Sequence, residues 1–226
     1  MPETPSHVNL RGLPIALAWC AVFAVALALD RPVGRWVVDS GLGPTLKSKD
    51  WKWLTRSGWR PGVGRLPGSF LTYTIPAAAV LAARGRRFRR PAVFVLLGGA
   101  FSGVNQALKW VVGRPRPFHE DVFTIHPLAH GWSSLFHEVN LSFPSGDVCL
   151  AAATGACLDF LLPRLRPVWV SLIFIVALER VAEGSHYPSD VVAGAALGLG
   201  MALLARRIVQ PNRIQSVKSA GIGVPT

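Results

Sequence analysis

VWVSLIFIVALERVAEGSHYPSDVVAGAALGLGMALLA, residues 168–205, holds two apolar runs parted by a short polar turn. The runs, 168–183 and 189–205, each approach the roughly 20 residues needed to cross a hydrocarbon layer. They are expected to be two membrane helices joined at one membrane face by 184–188. Working outward, four more runs of this kind stand at about 13–29, 68–83, 91–112 and 144–162. The expected fold is all-α, a polytopic membrane helix bundle of about six spans. The whole chain, 1–226, then reads as a single integral membrane domain.

Composition agrees. Half of the 226 residues are hydrophobic and only 16% are charged, which suits a membrane protein better than a soluble domain. The net charge of +12 could attract any polyanion, but the cations sit in short clusters between apolar runs. That pattern marks cytoplasmic loops and argues against nucleic acid. Arg11 precedes the first run and Ala26-Leu27-Ala28 fits a small-residue cleavage site. The run still exceeds the roughly 7–15 apolar residues of a signal peptide, so a retained span is expected. Cys20, Cys149 and Cys157 lie inside apolar runs as small hydrophobes. No metal or cofactor is expected, since His119, His126, His130 and His137 are scattered without a spaced ligand set.

Arginine placement sets the expected orientation. The stretches Arg84-Gly85-Arg86-Arg87-Phe88-Arg89-Arg90 and Pro163-Arg164-Leu165-Arg166-Pro167 are short and basic and so cytoplasmic. The tail with Arg206, Arg207, Arg213 and Lys218 falls on the same side if the spans alternate. Both termini are then cytoplasmic, as in a bacterial inner membrane protein, and 30–67, 113–143 and 184–188 face outward. Segment 30–67 is basic and carries Trp36, Trp51, Trp53 and Trp59. It is expected to lie in the headgroup layer.

Three polar clusters meet on the outward face in this topology. They are Lys109-Trp-Val-Val-Gly-Arg114-Pro-Arg116-Pro117, Phe143-Pro144-Ser145-Gly146-Asp147, and Glu179-Arg180 through Ser185-His186-Tyr187-Pro188-Ser189-Asp190. Lys109, Arg114, Arg116 and Arg180 supply cations, and guanidinium forks match phosphate oxygens in pairs. Ser145 and Gly146 open a helix, whose free N–H groups suit an anion, although serine is also an ordinary N-cap. His186 and Asp190 are four apart and can share a helix face. A carboxylate on one imidazole nitrogen frees the other to attack; a capping histidine with a structural aspartate has the same spacing.

Jointly, Lys109-x6-Arg116-Pro117, Pro144-Ser145-Gly146 and Arg180-x5-His186-x3-Asp190 resemble the three-part signature of the type 2 phosphatidic acid phosphatase superfamily, which also includes vanadium haloperoxidases. The motifs cover about 109–194. The resemblance implies that Lys109, Arg116, Arg180, Ser145 and the Gly146 amide bind phosphate. It further implies that His186 forms a phosphohistidine and that Asp190 orients it. The substrate is then a phosphorylated membrane lipid (a phospholipid, an isoprenyl diphosphate or a lipid A type), reached through the bilayer. A lipid phosphotransferase would use the same intermediate, and a non-catalytic phospholipid-binding protein would keep the cradle without turnover. Arg114 is not a fixed motif position. Two residues depart from the family pattern: Asp147 stands where a general-acid histidine is usual, and Glu179 where a serine usually precedes the arginine.

Overall fold

The computed structural model describes residues 13–42, 74–118, 124–128 and 141–209. Among these residues the chain is helical, with no strand beyond an isolated bridge between Pro115 and Leu141. In chain order the helices are α1 (Leu13–Asp39), α2 (Ile75–Ala83), α3 (Arg89–Phe101), α4 (Val104–Val112), α5 (Gly146–Leu161), α6 (Arg166–Ala182) and α7 (Pro188–Val209). Helices α3 and α4 follow one another as a single apolar unit, Arg89–Val112. That unit, α1 and α7 are long and apolar enough to cross a membrane. Helices α5 and α6, with 16 and 17 residues, stand at the short end of what a bilayer asks. The outer faces of α1 and α6 expose Ile15, Leu17, Val25, Val170, Phe174 and Leu178, the side chains an acyl environment accommodates.

The first helix differs from the sequence expectation. Apolarity alone ends the span at Leu29 and gives Asp30 to an outward segment, but α1 continues as helix to Asp39 and carries Pro32 inside it. The reason is that Asp30 is completely buried and its charge is met by Arg114. Arg31, Arg35 and Trp36 therefore lie on a helix, and the rest of the 30–67 segment, from 43, lies outside the described residues. The expected span at 68–83 is described from Thr74 onward.

Helix α7 is the centre of the bundle and packs on α1, α3 and, most extensively, α5. Small residues allow the α5–α7 approach. A Cβ on Gly198 would collide with the Cys149 carbonyl, and one on Gly194 would stand 2.5 Å from the Ser145 carbonyl oxygen. This is the close helix crossing that a small-x3-small pattern permits where no water drives association. At one end of the bundle Phe94, Val95, Cys157, Leu158, Ala202 and Ala205 form an apolar core with Ala78 and Leu81 of α2. The polar groups of the three motifs gather at the other end.

Candidate active site

Backbone contacts bring the motifs together. Lys109 sits in the last turn of α4, whose C-cap is Gly113 in a left-handed conformation (φ 65°). A Cβ there would run into the His126 backbone, so only glycine lets the chain turn from Lys109 into Arg114-Pro-Arg116. The Ser142 N–H donates to the Arg114 carbonyl (2.7 Å) and its hydroxyl to the Pro115 carbonyl (2.9 Å), tying the first motif to the second. The Ser145 N–H donates to the Asp190 carbonyl (3.0 Å), tying the second to the third. Each motif is thereby held by a main-chain bond to its neighbour.

His186 is buried between α6 and α7. Its Nδ1 lies 2.8 Å from the Ser142 carbonyl oxygen, whereas the nearer Asp190 oxygen, Oδ2, is 3.7 Å away. The direct partner is thus a main-chain carbonyl, with Asp190, the residue expected to orient the ring, standing farther off. The consequence for tautomer is the same. A carbonyl only accepts, so Nδ1 carries the proton and the lone pair of the neutral ring is left on Nε2. Burial pushes the His186 pKa below the ordinary imidazole range, and the charges of Lys109 and Arg116 push the same way against the pull of Asp190. The ring is held neutral and nucleophilic.

The other expected residues surround this ring. Lys109 is within electrostatic reach of Arg116, Arg180, Asp147 and Asp190, and its Nζ donates to the Leu141 carbonyl (3.3 Å). Ser145 is the N-cap of α5 in extended backbone (φ −71°, ψ 115°), yet its hydroxyl caps nothing. That Oγ is buried with no hydrogen-bond partner among the described residues, as is the Arg180 Nε. Buried donors left open at a helix N-terminus fit an anion better than they fit a finished fold. Arg180 meets Glu179 (3.2 Å), Asp147 (3.3 Å) and Glu183 (3.5 Å). Both departures from the family pattern, Glu179 and Asp147, therefore bear on this one arginine.

Arg114 does something else. Its Nη1 donates to Asp190 Oδ1 (2.8 Å) and to Ser189 Oγ (2.8 Å), and its Nη2 donates to Asp30 Oδ2 (2.8 Å). The guanidinium lies over the Tyr187 ring, 4.1 Å from its centroid, a cation–π contact. Asp190 Oδ2 accepts the Tyr187 N–H (2.8 Å), and Asp30 Oδ1 accepts the Ser189 N–H (2.8 Å). Sequence reasoning missed Asp30, Ser142 and Ser189. Asp30 left a signal, a lone acid at the edge of an apolar run, which is costly without a partner. Ser142 left none, because it acts through its carbonyl.

The family model described as the PAP2 superfamily matches residues 90–214, more than half of the chain. A lipid A 1-phosphatase of Rhizobium johnstonii is 37% identical over 108 residues, which cover 46% of this chain and 42% of that protein. An undecaprenyl-diphosphatase of Sulfolobus acidocaldarius is 28% identical over 120 residues, 51% of this chain and 53% of that one. The chain thus spans about half the length of these relatives. The crystal structure of a transmembrane PAP2 type phosphatidylglycerolphosphate phosphatase from Bacillus subtilis superposes with a TM-score of 0.56 over 89% of this chain and 97% of that one. At 20% identity the likeness is one of fold.

Proposed function

This chain belongs to the PAP2 superfamily, and from that premise we propose that it is an integral membrane lipid phosphatase working through a phosphohistidine on His186. The observation that carries the reading is the 2.8 Å contact from His186 Nδ1 to the Ser142 carbonyl. It commits the proton to one nitrogen and the lone pair to the other, beside an assembly of cations. In the first step Nε2 forms a bond to phosphorus while the bond from phosphorus to the leaving oxygen breaks, its electron pair staying on that oxygen. In the second, a water oxygen bonds to phosphorus as the bond to Nε2 breaks, the electron pair returning to the now neutral imidazole and the water protons leaving with the inorganic phosphate. Lys109, Arg116 and Arg180, with Ser145 and the Gly146 amide, neutralise the charge that spreads over the phosphoryl oxygens. Asp190 and Asp147 complete the set, Asp190 behind the nucleophile and Asp147 at the usual position of the general acid.

The relatives' substrates support a lipid phosphate or diphosphate. Asp147 favours the diphosphate, because an ion-paired carboxylate is a poor proton donor and a phosphate monoester leaves without one. Residues 109–194 form the motif region of a single 1–226 domain, and of the interfacial segment read at 30–67 the first ten residues continue α1. The protein sits in a bacterial inner membrane with both termini cytoplasmic. Cysteines introduced at Arg87 and Arg164 should be labelled only after permeabilisation, and one at His130 without it. Equal labelling of all three would reject the orientation.

The central experiment is phosphate release from phospholipids, isoprenyl phosphates and diphosphates, and lipid A, with His186→Ala as control. Since uncatalysed phosphate ester cleavage is among the slowest reactions known, loss of the nucleophile should cost more than about 10⁴-fold. Retention of more than about a tenth of the rate would reject the mechanism. A general acid alone contributes only ~10²–10⁴.

A further inference from the structure

We propose that Asp30, on the first membrane helix and outside all three motifs, is a positioning residue for phosphoryl transfer. By sharing the Arg114 guanidinium with Asp190 and by holding Ser189, it fixes the carboxylate that faces His186 and leaves its charge only partly compensated. The inference rests on His186 being the nucleophile.

The geometry is specific. Asp30 is fully buried, and both of its oxygens are used. Oδ1 takes the Ser189 N–H, and Oδ2 takes Arg114 Nη2 together with the Ser189 hydroxyl (2.5 Å). Ser189 directly precedes Asp190 in the first turn of α7, so Asp30 grips the helix start that carries Asp190. Gly34, one turn along α1, presses on the Tyr187 ring so closely that a Cβ would stand 2.9 Å from it. Helix α1 is therefore the back wall of the turn that contains His186, joined to it at two points.

The charge count gives that wall a chemical consequence. A guanidinium dedicated to Asp190 would cancel most of its field at the ring. Here one guanidinium serves two carboxylates, a formal charge of −1 for the trio. That charge is needed during the reaction. When Nε2 bonds to phosphorus and the leaving oxygen departs with its electron pair, Nδ1 keeps its proton and the ring becomes a cation. A fixed negative cluster behind the ring stabilises this cation without reorganising. The charges acting on His186 from the surrounding elements are Lys109 of α4, Arg116 of the segment that follows, and Asp190 of α7. The first two oppose the cation, which leaves the Asp190 side to favour it.

Asp30→Asn removes one negative charge and one acceptor while keeping the side-chain shape. The lipid KM should stay within about twofold, because Lys109, Arg116, Ser145 and Arg180 are untouched. The kcat should fall about ten- to a hundredfold, the scale at which misplacing a reacting group is felt. Arg114 would then bear wholly on Asp190, the field at His186 would turn more positive, and the acid limb of kcat/KM should move to lower pH. Wild-type kcat and an unmoved limb, with only a lower thermal midpoint, would overturn the proposal and leave Asp30 a structural anchor. Ser189→Ala keeps every charge and loses only one bridging hydroxyl. It should lower kcat several-fold with the limb in place. If Asp30→Asn cannot be purified folded, a wild-type kcat in Ser189→Ala overturns the proposal instead. Activity persisting in His186→Ala would remove the nucleophile reading itself, whereas persistence in Asp30→Asn removes only the role of Asp30.

Discussion

Arg114 and Arg180 are both nearly buried arginines that meet more than one carboxylate, and they are held in opposite ways. Arg114 has both terminal nitrogens in 2.8 Å bonds to Asp30, Asp190 and Ser189, and both acids are completely buried. Arg180 meets its three carboxylates at 3.2–3.5 Å, its Nε is buried without a partner among the described residues, and Asp147 keeps 31% of its side chain exposed. Short bonds to desolvated carboxylates cannot be exchanged for a ligand without stranding charge. Long ones, two of them to the partly exposed Asp147 and Glu179, can. The first arginine is committed to the fold around the nucleophile, and the second is available to a phosphate.

Alanine at each position separates the two. Arg180→Ala should fold normally and lose about 10²–10³ in kcat/KM, the scale seen when one donor to a developing charge is removed. Asp147 and Glu179, two of its three carboxylates, keep part of their side chains exposed and can rehydrate. Arg114→Ala leaves Asp30 and Asp190 buried without their counter-ion, a loss of roughly 3–5 kcal/mol, and should be recovered poorly or unfold at markedly lower temperature. Activity assays and thermal midpoints in the same detergent check both. A stable Arg114→Ala beside an unstable Arg180→Ala would break the comparison.

Inorganic phosphate sharpens it next. At about a hundred times its dissociation constant, a ligand that binds only the folded state stabilises by ~2.7 kcal/mol. Wild type should show this as a raised thermal midpoint, Arg180→Ala should lose it, and Ser189→Ala should keep it. Loss of the protection in Ser189→Ala would place the Arg114 cluster in the phosphate site after all.

Asp147 carries a smaller effect. Its ion pair with Arg180 (3.3 Å) uses the charged form, which has no proton to give a leaving group. Wild type should therefore prefer lipid diphosphates, and Asp147→His should raise monophosphate turnover near neutral pH by about tenfold, part of the ~10²–10⁴ that a positioned acid can supply. Wild-type rates on a lipid monophosphate that match those on a diphosphate, and that fall in Asp147→His, would identify Asp147 as a working acid.

The helical order and the convergence of motifs could be read from the chain, because each rests on side-chain types at fixed spacing. Apolar runs of bilayer length mark helices, and Lys109, Ser145, Arg180 and His186 belong to spaced motifs. The limits have physical causes. The first span looked ten residues shorter than it is because hydropathy scores Asp30 as solvent-seeking, and only its pairing with Arg114, 84 positions away, reverses that. Arg114 and Arg116 are alike in sequence and differ in which neighbours the Gly113 turn gives them. The partner of His186 Nδ1 is a backbone carbonyl, a group that every residue has and no sequence pattern distinguishes.

The smallest effect concerns the His186 ring. An imidazole with the ordinary pKa of about 6.5 is roughly three-quarters protonated at pH 6, so kcat/KM would drop about fourfold between pH 7.5 and 6. Burial, then Lys109 and Arg116, hold His186 below that range, so more of the ring stays neutral at pH 6 and the drop should be smaller than fourfold. Stability moves in the same pH window with the sign fixed by linkage. Below about pH 6.5 the unfolded chain binds a proton at this histidine that the folded chain refuses, so acidification favours unfolding until the lowered folded-state value is passed. Wild type should thus lose thermal midpoint between pH 7.5 and 6 faster than it loses rate. His186→Ala should remove the His186 share of the stability slope. A fourfold fall in wild-type rate with an unchanged midpoint would mean that the field of Asp190 outweighs burial and the cations, and that Arg114 leaves that carboxylate freer than its bonds imply.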